Sequence, residues 1–384
     1  MAVLGENLTE NNDKMADFDG NPNCRDARPC VFTRHKRMAF TKKSVSLCHK
    51  ITKPMDARYF EEQIFNVADD ADFERLALQL YDFQRENNPV YRQYLQYLGR
   101  DGKADSLEDI ICMPVGFFKD YEVKTTDFVE KLTFTSSGTT GRQTSRHFVK
   151  NPDIYYKSLL KGFQEFYGDV RQYTVLALLP AYLERTGSSL VTMVEQLMEA
   201  SGNGTGGFFL YDFDSLSQHI DWLVDNNKKV LLVGVTFALL DFADKFHRNY
   251  GDRVIIMETG GMKGRRKEMV REEVHEILCN SLGVKAIHSE YGMTELLSQA
   301  YSDGNGIYRE TSTMRILIRE HNDPLQYVRR GTSGGINVID LANIYSCSFL
   351  ETSDLGIKFD DGSFKVLGRF DDADRRGCNL LYAG

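Results

Sequence analysis

No run of about 18 apolar residues occurs anywhere in the 384-residue chain, so no transmembrane helix is expected. Positive charge is also short. Lys and Arg number 47 against 55 Asp and Glu, a net charge of −8, and nothing in that balance suggests a nucleic-acid or anionic-membrane partner. Cysteine is sparse and unpaired in pattern: seven residues, an odd number, and no Cys-x2-Cys pair. That usage argues against a zinc site and a disulfide framework, and it fits a reducing cytoplasm. Apolar residues still make up 42% of the chain, enough for a real core in one large or two ordinary domains.

The first 54 residues read differently from the rest. "MAVLGENLTENNDKMADFDGNPN" is polar, and the basic stretch "RHKRMAFTKKSVSLCHK" has no apolar centre, so neither is a secretory signal. Residues 1–54 are expected to be a disordered extension, with a globular unit from 55 to 367 and a short tail from 368 to 384.

Along the globular part, Phe73, Leu76, Leu80 and Phe83 recur at helical spacing, and Asn88-Pro89 ends that helix. A second helix runs through Tyr91, Tyr94, Leu95 and Leu98. Farther on, apolar runs alternate with helical patterns: "YTVLALLP" (173–180) before a helix through Leu190, Met193 and Leu197, "VLLVGV" (230–235) before "TFALLDFADKF", and "VIIMET" (254–259) before "KEMVREEVHEILCNSL". A further strand is expected over 284–288. Continuous β-branched runs separated by helices indicate an α/β fold with a parallel sheet covered on both faces. After about residue 300 the pattern turns to short strands and turns, and Cys112, Cys279 and Cys347, in apolar runs, read as core.

Three irregular segments stand where such a sheet binds ligands, beyond the carboxyl ends of strands. In "LTFTSSGTTGRQTS" (132–145) a strand-like start gives way to a loop crowded with Thr and Ser. Gly138 and Gly141 free its backbone to turn N–H groups inward, and Arg142 adds donors, which suits a phosphate; a plain Ser/Gly surface loop is the alternative. The Walker spacing is absent, because Gln143 stands where the second glycine would fall. "ETGGMKGRRK" (258–267) pairs Gly260 and Gly261 with the cations Lys263, Arg265, Arg266 and Lys267. In "SEYGMTE" (289–295), Tyr291 can stack on a base, Gly292 admits it, and Glu295 offers a hard oxygen ligand for Mg²⁺. One decoy falls away: Gly331-Thr332-Ser333-Gly334-Gly335 has the Gly-x-Ser-x-Gly form, but strand-like sequence follows it where a nucleophile elbow needs a helix.

Taken together, "TSSGTTG" (135–141), "YGMTE" (291–295), "TSDLG" (352–356) and "GRFDD" (368–372) resemble the adenylate-forming superfamily of acyl-CoA synthetases, adenylation domains and firefly luciferase. "MPVGFFKDYEV", "LLPAYLERTGSSLV", "HSEYGMTELLSQAYS" and "GRFDDADRRGCNLL" are closer still to the LuxE-type acyl-protein synthetases, over roughly residues 56–384. The resemblance implies the large N-terminal domain of that fold: mainly parallel sheets flanked by helices, plus a smaller β region. It implies ATP and Mg²⁺ as cofactors, a fatty or other carboxylic acid as substrate, and an acyl-CoA reductase or other acyl-transfer protein as partner. By position, Thr135, Ser136, Ser137, Gly138, Thr139, Thr140 and Gly141 would hold the β- and γ-phosphates, and Gly260 and Gly261 would line the adenine with Tyr291 stacked on it and Gly292 admitting it. Thr294 would bind the α-phosphate and Glu295 the metal, while Asp354 would accept the ribose hydroxyls with Arg369 nearby.

The superfamily usually continues for about a hundred residues beyond the hinge Asp, here Asp371, into a small mobile domain carrying a Lys used in adenylation. Only residues 372–384 follow here, so that domain is expected to be essentially absent, as in other LuxE-type chains. Arg142, Lys263 or Arg265 could supply the missing charge. Cys378 matches the family's acyl-accepting cysteine near the C-terminus, and Arg375 and Arg376 beside it should enrich its thiolate. A phenylacetate-type CoA ligase and a non-catalytic nucleotide-binding scaffold are the competing readings.

Overall fold

Fourteen strands and their flanking helices are seen in a computed structural model that describes residues 56–136, 144–180, 186–260 and 269–370 of the chain. The strands are β1 (Met113–Pro114), β2 (Leu132–Thr135), β3 (Arg146–Val149), β4 (Tyr173–Leu178), β5 (Gly207–Phe209), β6 (Lys229–Val235) and β7 (Val254–Thr259). They continue with β8 (His288–Tyr291), β9 (Ala300–Ser302), β10 (Ile307–Glu310), β11 (Met314–Arg319), β12 (Ser333–Asp340), β13 (Phe349–Lys358) and β14 (Phe364–Arg369).

Strands β5, β4, β6, β7 and β8 lie side by side in that order, all parallel. The helices Ser189–Ser201, Phe213–Asp225, Thr236–Lys245 and Arg271–Leu282 fall between them in sequence. A parallel pair needs a crossover, and a helix supplies it while covering one sheet face. Both faces being covered, β4 is buried along its whole length and β6 everywhere but its first residue. Each fully buried Leu or Val there contributes about 1.5–3 kcal/mol relative to exposure.

From β8 onward the helices stop and the connections shorten, so neighbours run antiparallel: β8–β9, β9–β10, β10–β14, β14–β13, β13–β12 and β12–β11. With β1 alongside β13, the described residues build one 12-stranded mixed sheet. The α/β expectation holds. What differs is proportion, because the later strands extend the parallel sheet rather than forming a small separate region. Ser333 opens an antiparallel strand with no helix after it, as the rejection of the hydrolase motif requires.

The expected strands over 173–180, 230–235 and 254–259 are present as Tyr173–Leu178, Lys229–Val235 and Val254–Thr259, the first ending two residues early. The one over 284–288 is displaced: it begins at His288 and carries Ser289, Glu290 and Tyr291 inside the sheet, so only Gly292 onward is loop. Neighbouring β7 sets that start, pairing Met257 with His288 and Glu258 with Ser289. Apart from the large sheet, β2 and β3 form an antiparallel pair that brackets the hydroxyl-rich loop.

The two expected N-terminal helices appear as Asp70–Asn87 and Pro89–Tyr97. The Asp69 carboxylate accepts from the Asp72 N–H at the start of the first. Asn88 caps the second by accepting from the Tyr91 N–H, while its amide donates to the Thr125 hydroxyl and the Ser346 carbonyl. Cys112 and Cys347 are buried as expected, and Cys279 is partly so. No helix among the described residues is long and apolar enough to cross a membrane. Residues 1–55, and with them the proposed extension, lie outside the described residues.

Candidate active site

Segment 292–299 joins the last parallel strand, β8, to the first antiparallel one, β9, and so leaves the sheet at its change of direction. Such switch points are where open α/β sheets bind ligands. The buried Asp340 carboxylate at the end of β12 fixes this segment from below. It accepts from the Leu297 and Ser298 N–H groups at 2.7 and 3.0 Å, from the Ser298 hydroxyl at 2.6 Å and from the Ala342 N–H at 3.0 Å. The Asn343 amide donates to the Glu295 carbonyl at 2.8 Å, and the His147 ring lies 2.8 Å from the Thr294 carbonyl. Four successive peptide units between Thr294 and Ser298 are thus gripped by side chains from other elements.

With its backbone held, the Glu295 side chain is buried, and Ser145, next to β3, is near enough to influence its carboxyl. Burial pushes the Glu295 carboxyl above its ordinary value, and Ser145 with the charges of Arg369 and Lys119 offsets this only in part. A carboxylate in that condition gains from a further cation. Among the described residues no group of three or more His, Cys, Asp or Glu could hold a metal ion. A single buried carboxylate of this kind fits a Mg²⁺ whose other ligands would be substrate phosphates and water, with Glu295 as the residue that would hold it.

At the neck of the hydroxyl-rich loop, the Ser136 N–H donates to the Ser145 carbonyl at 3.1 Å, and the Ser145 N–H donates to the Ser136 hydroxyl at 2.9 Å. The Thr135 N–H donates to the Gly187 carbonyl at 2.8 Å, tying the outgoing strand to the turn before the helix at Ser189. Ser137, Gly138, Thr139, Thr140, Gly141 and Arg142 lie outside the described residues, as do Gly261, Lys263, Arg265 and Cys378.

Asp354, on β13, is a buried carboxylate facing Arg369 across the β13–β14 ladder, and the Arg369 Nε–H donates to it at 3.1 Å. The other Asp354 oxygen accepts from the Tyr291 hydroxyl at 2.9 Å. Tyr291 is itself buried, packed edge-on against Tyr308 and Phe364, so what it visibly does is hold Asp354. Arg369 keeps most of its side chain in solvent and acts on both Asp354 and Glu295. Four expected residues, Tyr291, Glu295, Asp354 and Arg369, are thus brought into one neighbourhood, and Thr294 reaches it through His147.

Two buried carboxylates that were not expected lie just beneath, on opposite faces of the sheet. Glu258, on β7, accepts from the Thr236 hydroxyl at 2.9 Å and has Arg271 and His275 at 3.4 and 3.6 Å. Burial pushes its carboxyl up, but His275, Arg271, Ser289 and Thr236 together outweigh that and hold it below its ordinary value. The same Thr236 hydroxyl lies 3.3 Å from the carbonyl of Gly260, a residue at φ 74° that suits glycine. Glu290, on β8, accepts from the Thr259 hydroxyl at 2.6 Å, and burial with the nearby Glu258 charge lifts its carboxyl to about 7. Gly292 passes close to Glu290: a Cβ there would stand 2.3 Å from a Glu290 oxygen, so a larger residue would have to displace that carboxylate.

Sequence reasoning missed His147, Asp340, Asn343, Glu290 and Lys119. An isolated His in the alternating run "RHFV" and an Asp closing a strand carry no motif, and only the fold shows what they touch.

The family model for the acyl-protein synthetase LuxE matches residues 72–383. A long-chain-fatty-acid–luciferin-component ligase of Vibrio harveyi is 23% identical over 332 residues, covering 80% of this chain and 86% of that protein. Among solved structures, ATP-bound MatB from Rhodopseudomonas palustris shares 18% identity at a TM-score of 0.47, over 62% of this chain and 47% of that one. The Bacillus subtilis o-succinylbenzoate-CoA synthetase in complex with AMP shares 18% at 0.45, over 62% and 49%. A luciferase-like enzyme of the nonluminescent mealworm Zophobas morio shares 16% at 0.44, over 65% and 60%. The chain spans about half the length of the first two of these solved proteins.

Proposed function

The chain belongs to the acyl-protein synthetase LuxE family, and from that membership and the grouping around Glu295 we propose that it activates a long-chain fatty acid with ATP and passes the acyl group to a protein cysteine. The observation that carries this reading is the buried Glu295 carboxylate, clamped at its backbone by Asn343 and close to Ser145 at the neck of the hydroxyl-rich loop. A lone, partly desolvated carboxylate beside a phosphate-binding loop is what a metal-bound triphosphate needs.

In the first step a fatty carboxylate oxygen bonds to the α-phosphorus of ATP, and the bond from that phosphorus to the bridging oxygen of pyrophosphate breaks. The products are acyl-adenylate and pyrophosphate. Both reactants are anions, so the barrier is largely electrostatic. Thr135 and Ser136 open the loop that would take the β- and γ-phosphates, Thr294 would donate to the α-phosphate, and Arg142 or Lys263 would add positive charge. Asp354, held by Tyr291 and Arg369, would accept the ribose hydroxyls. Glu295 would hold Mg²⁺, which supplies charge neutralisation for the triphosphate and the departing pyrophosphate. Exclusion of water matters afterwards, because acyl-adenylate is a mixed anhydride.

In the second step the thiolate of Cys378 bonds to the acyl carbonyl carbon and AMP leaves, giving a thioester. That thioester is the form handed to an acyl-accepting partner protein, an acyl-CoA reductase being the partner expected from the family.

Exchange of labelled pyrophosphate into ATP, measured with Mg²⁺ and saturated fatty acids of graded length, tests the first step. Fatty-acid-dependent exchange is expected. A folded protein that gives none with any carboxylic acid would overturn the proposal, and consumption of acyl-adenylate by added CoA would redirect it to a CoA ligase.

A further inference from the structure

We infer that His147 is a positioning residue for the activation step, registering the Thr294–Glu295 peptide against the β2–β3 pair that carries the hydroxyl-rich loop. The inference rests on the proposed reaction but concerns a residue outside every motif that suggests it.

Three observations carry it. His147 stands opposite Phe134 in the β2–β3 register, two residues from Ser145, which closes the neck of the loop. Its ring is 1% exposed and sits edge-on to both Phe118 and Phe134, so its direction is fixed by packing. Its Nδ1 lies 2.8 Å from the Thr294 carbonyl. A carbonyl only accepts, so Nδ1 carries the hydrogen and the bond runs from the β2–β3 pair to the segment.

The other grips on this segment come from elsewhere: Asp340 at the end of β12, Asn343 just after it, Ser158 and Thr313 at the Ser298 hydroxyl, and Thr311 at the Gln299 carbonyl. They would hold the segment in place whether or not the β2–β3 pair were aligned with it. Among the described residues, the His147–Thr294 hydrogen bond ties the β2–β3 pair directly to the backbone of this segment, and both pieces must face the same triphosphate. Losing the imidazole would leave both pieces folded and free to slide relative to each other. Misplacement of about 1 Å at such a site costs about 100-fold in rate.

Three variants test this: His147→Phe, which keeps an aromatic ring between Phe118 and Phe134 but cannot donate; His147→Asn, whose amide can reach the same carbonyl; and His147→Phe combined with Glu295→Gln. Two readouts are followed, the fatty-acid-dependent pyrophosphate exchange and the gain in ATP affinity that Mg²⁺ produces, measured by calorimetry without fatty acid. His147→Phe is expected to melt within a few degrees of wild type, to bind ATP normally without Mg²⁺, and to lose most of the Mg²⁺-dependent gain. Its exchange kcat should fall about 10- to 100-fold with little change in KM for fatty acid. His147→Asn should recover most of both losses. Added to Glu295→Gln, His147→Phe should cost less than about twofold more, because its effect runs through that carboxylate.

If His147→Phe unfolds, the comparison passes to His147→Asn against His147→Leu, with the same expectation. Exchange and Mg²⁺ dependence within twofold of wild type in a folded donor-less variant would overturn the inference, as would full additivity with Glu295→Gln. Absence of exchange in wild type would sink the proposed reaction instead, and the Mg²⁺-dependent ATP affinity would still decide the role of His147.

Discussion

Glu290 and Glu295 are close in sequence, both carry raised carboxyl values, and they answer to different tests. Glu290 is buried against Thr259 with Glu258 nearby, and its carboxyl titrates at about 7 against an ordinary 4.5. Below the unfolded value both states keep the proton. Between about pH 4.5 and 7 only the folded state does, so the native protein loses stability relative to the unfolded chain as pH rises through that window. Glu290→Gln cannot ionise and keeps an oxygen for the Thr259 hydroxyl. It should match wild type near pH 4.5 and be more stable at pH 8, by up to about 3 kcal/mol at 1.36 kcal/mol per unit. Urea unfolding of both proteins at the two pH values checks this, and parallel pH slopes would contradict it. Glu295→Gln removes a charge from the site without opening the core. Pyrophosphate exchange should fall by about two orders of magnitude or more while the melting temperature holds, and near-normal exchange would remove Glu295 from the metal role.

At the scale of elements, the segment between β8 and β9 depends on one distant carboxylate. Asp340→Asn turns one acceptor oxygen into a donor, facing either the Leu297 and Ser298 N–H groups or the Ser298 hydroxyl and the Ala342 N–H. Leaving buried donors without acceptors costs about 1–3 kcal/mol each at most, so a total loss of about 2–4 kcal/mol is expected. Amide hydrogen exchange should quicken at Leu297 and Ser298 well before β6 responds; uniform protection across both would contradict the clamp. These elements also mark where the sequence is legible. Apolar runs such as 230–235 and 254–259 announce buried parallel strands because both faces demand the same residues. The start of β8 is not announced, since pairing with β7, not local pattern, decides where "HSEY" begins. Tyr291, Glu295 and Asp354 could be read from motifs. His147, Asn343 and Asp340 could not, because their meaning lies in contacts with residues tens to hundreds of positions away.

For the molecule as a whole, the mixed sheet and its connections carry the motif residues 291–295, 354 and 369, while residues 135–136 belong to the separate β2–β3 pair. In the proposed reaction, activation belongs to the site around Glu295 and transfer to Cys378. Incubation with ATP, Mg²⁺ and fatty acid, followed by denaturation and intact-mass measurement, tests that division most directly. Wild type should gain the mass of one acyl group, lost again in neutral hydroxylamine as a thioester is, with the modified peptide containing Cys378. Cys378→Ser should still make acyl-adenylate and carry no such mass, because a serine hydroxyl lacks the thiolate's nucleophilicity. A hydroxylamine-sensitive acyl group on Cys378→Ser, or exchange-competent wild type that never acquires one, would contradict the account.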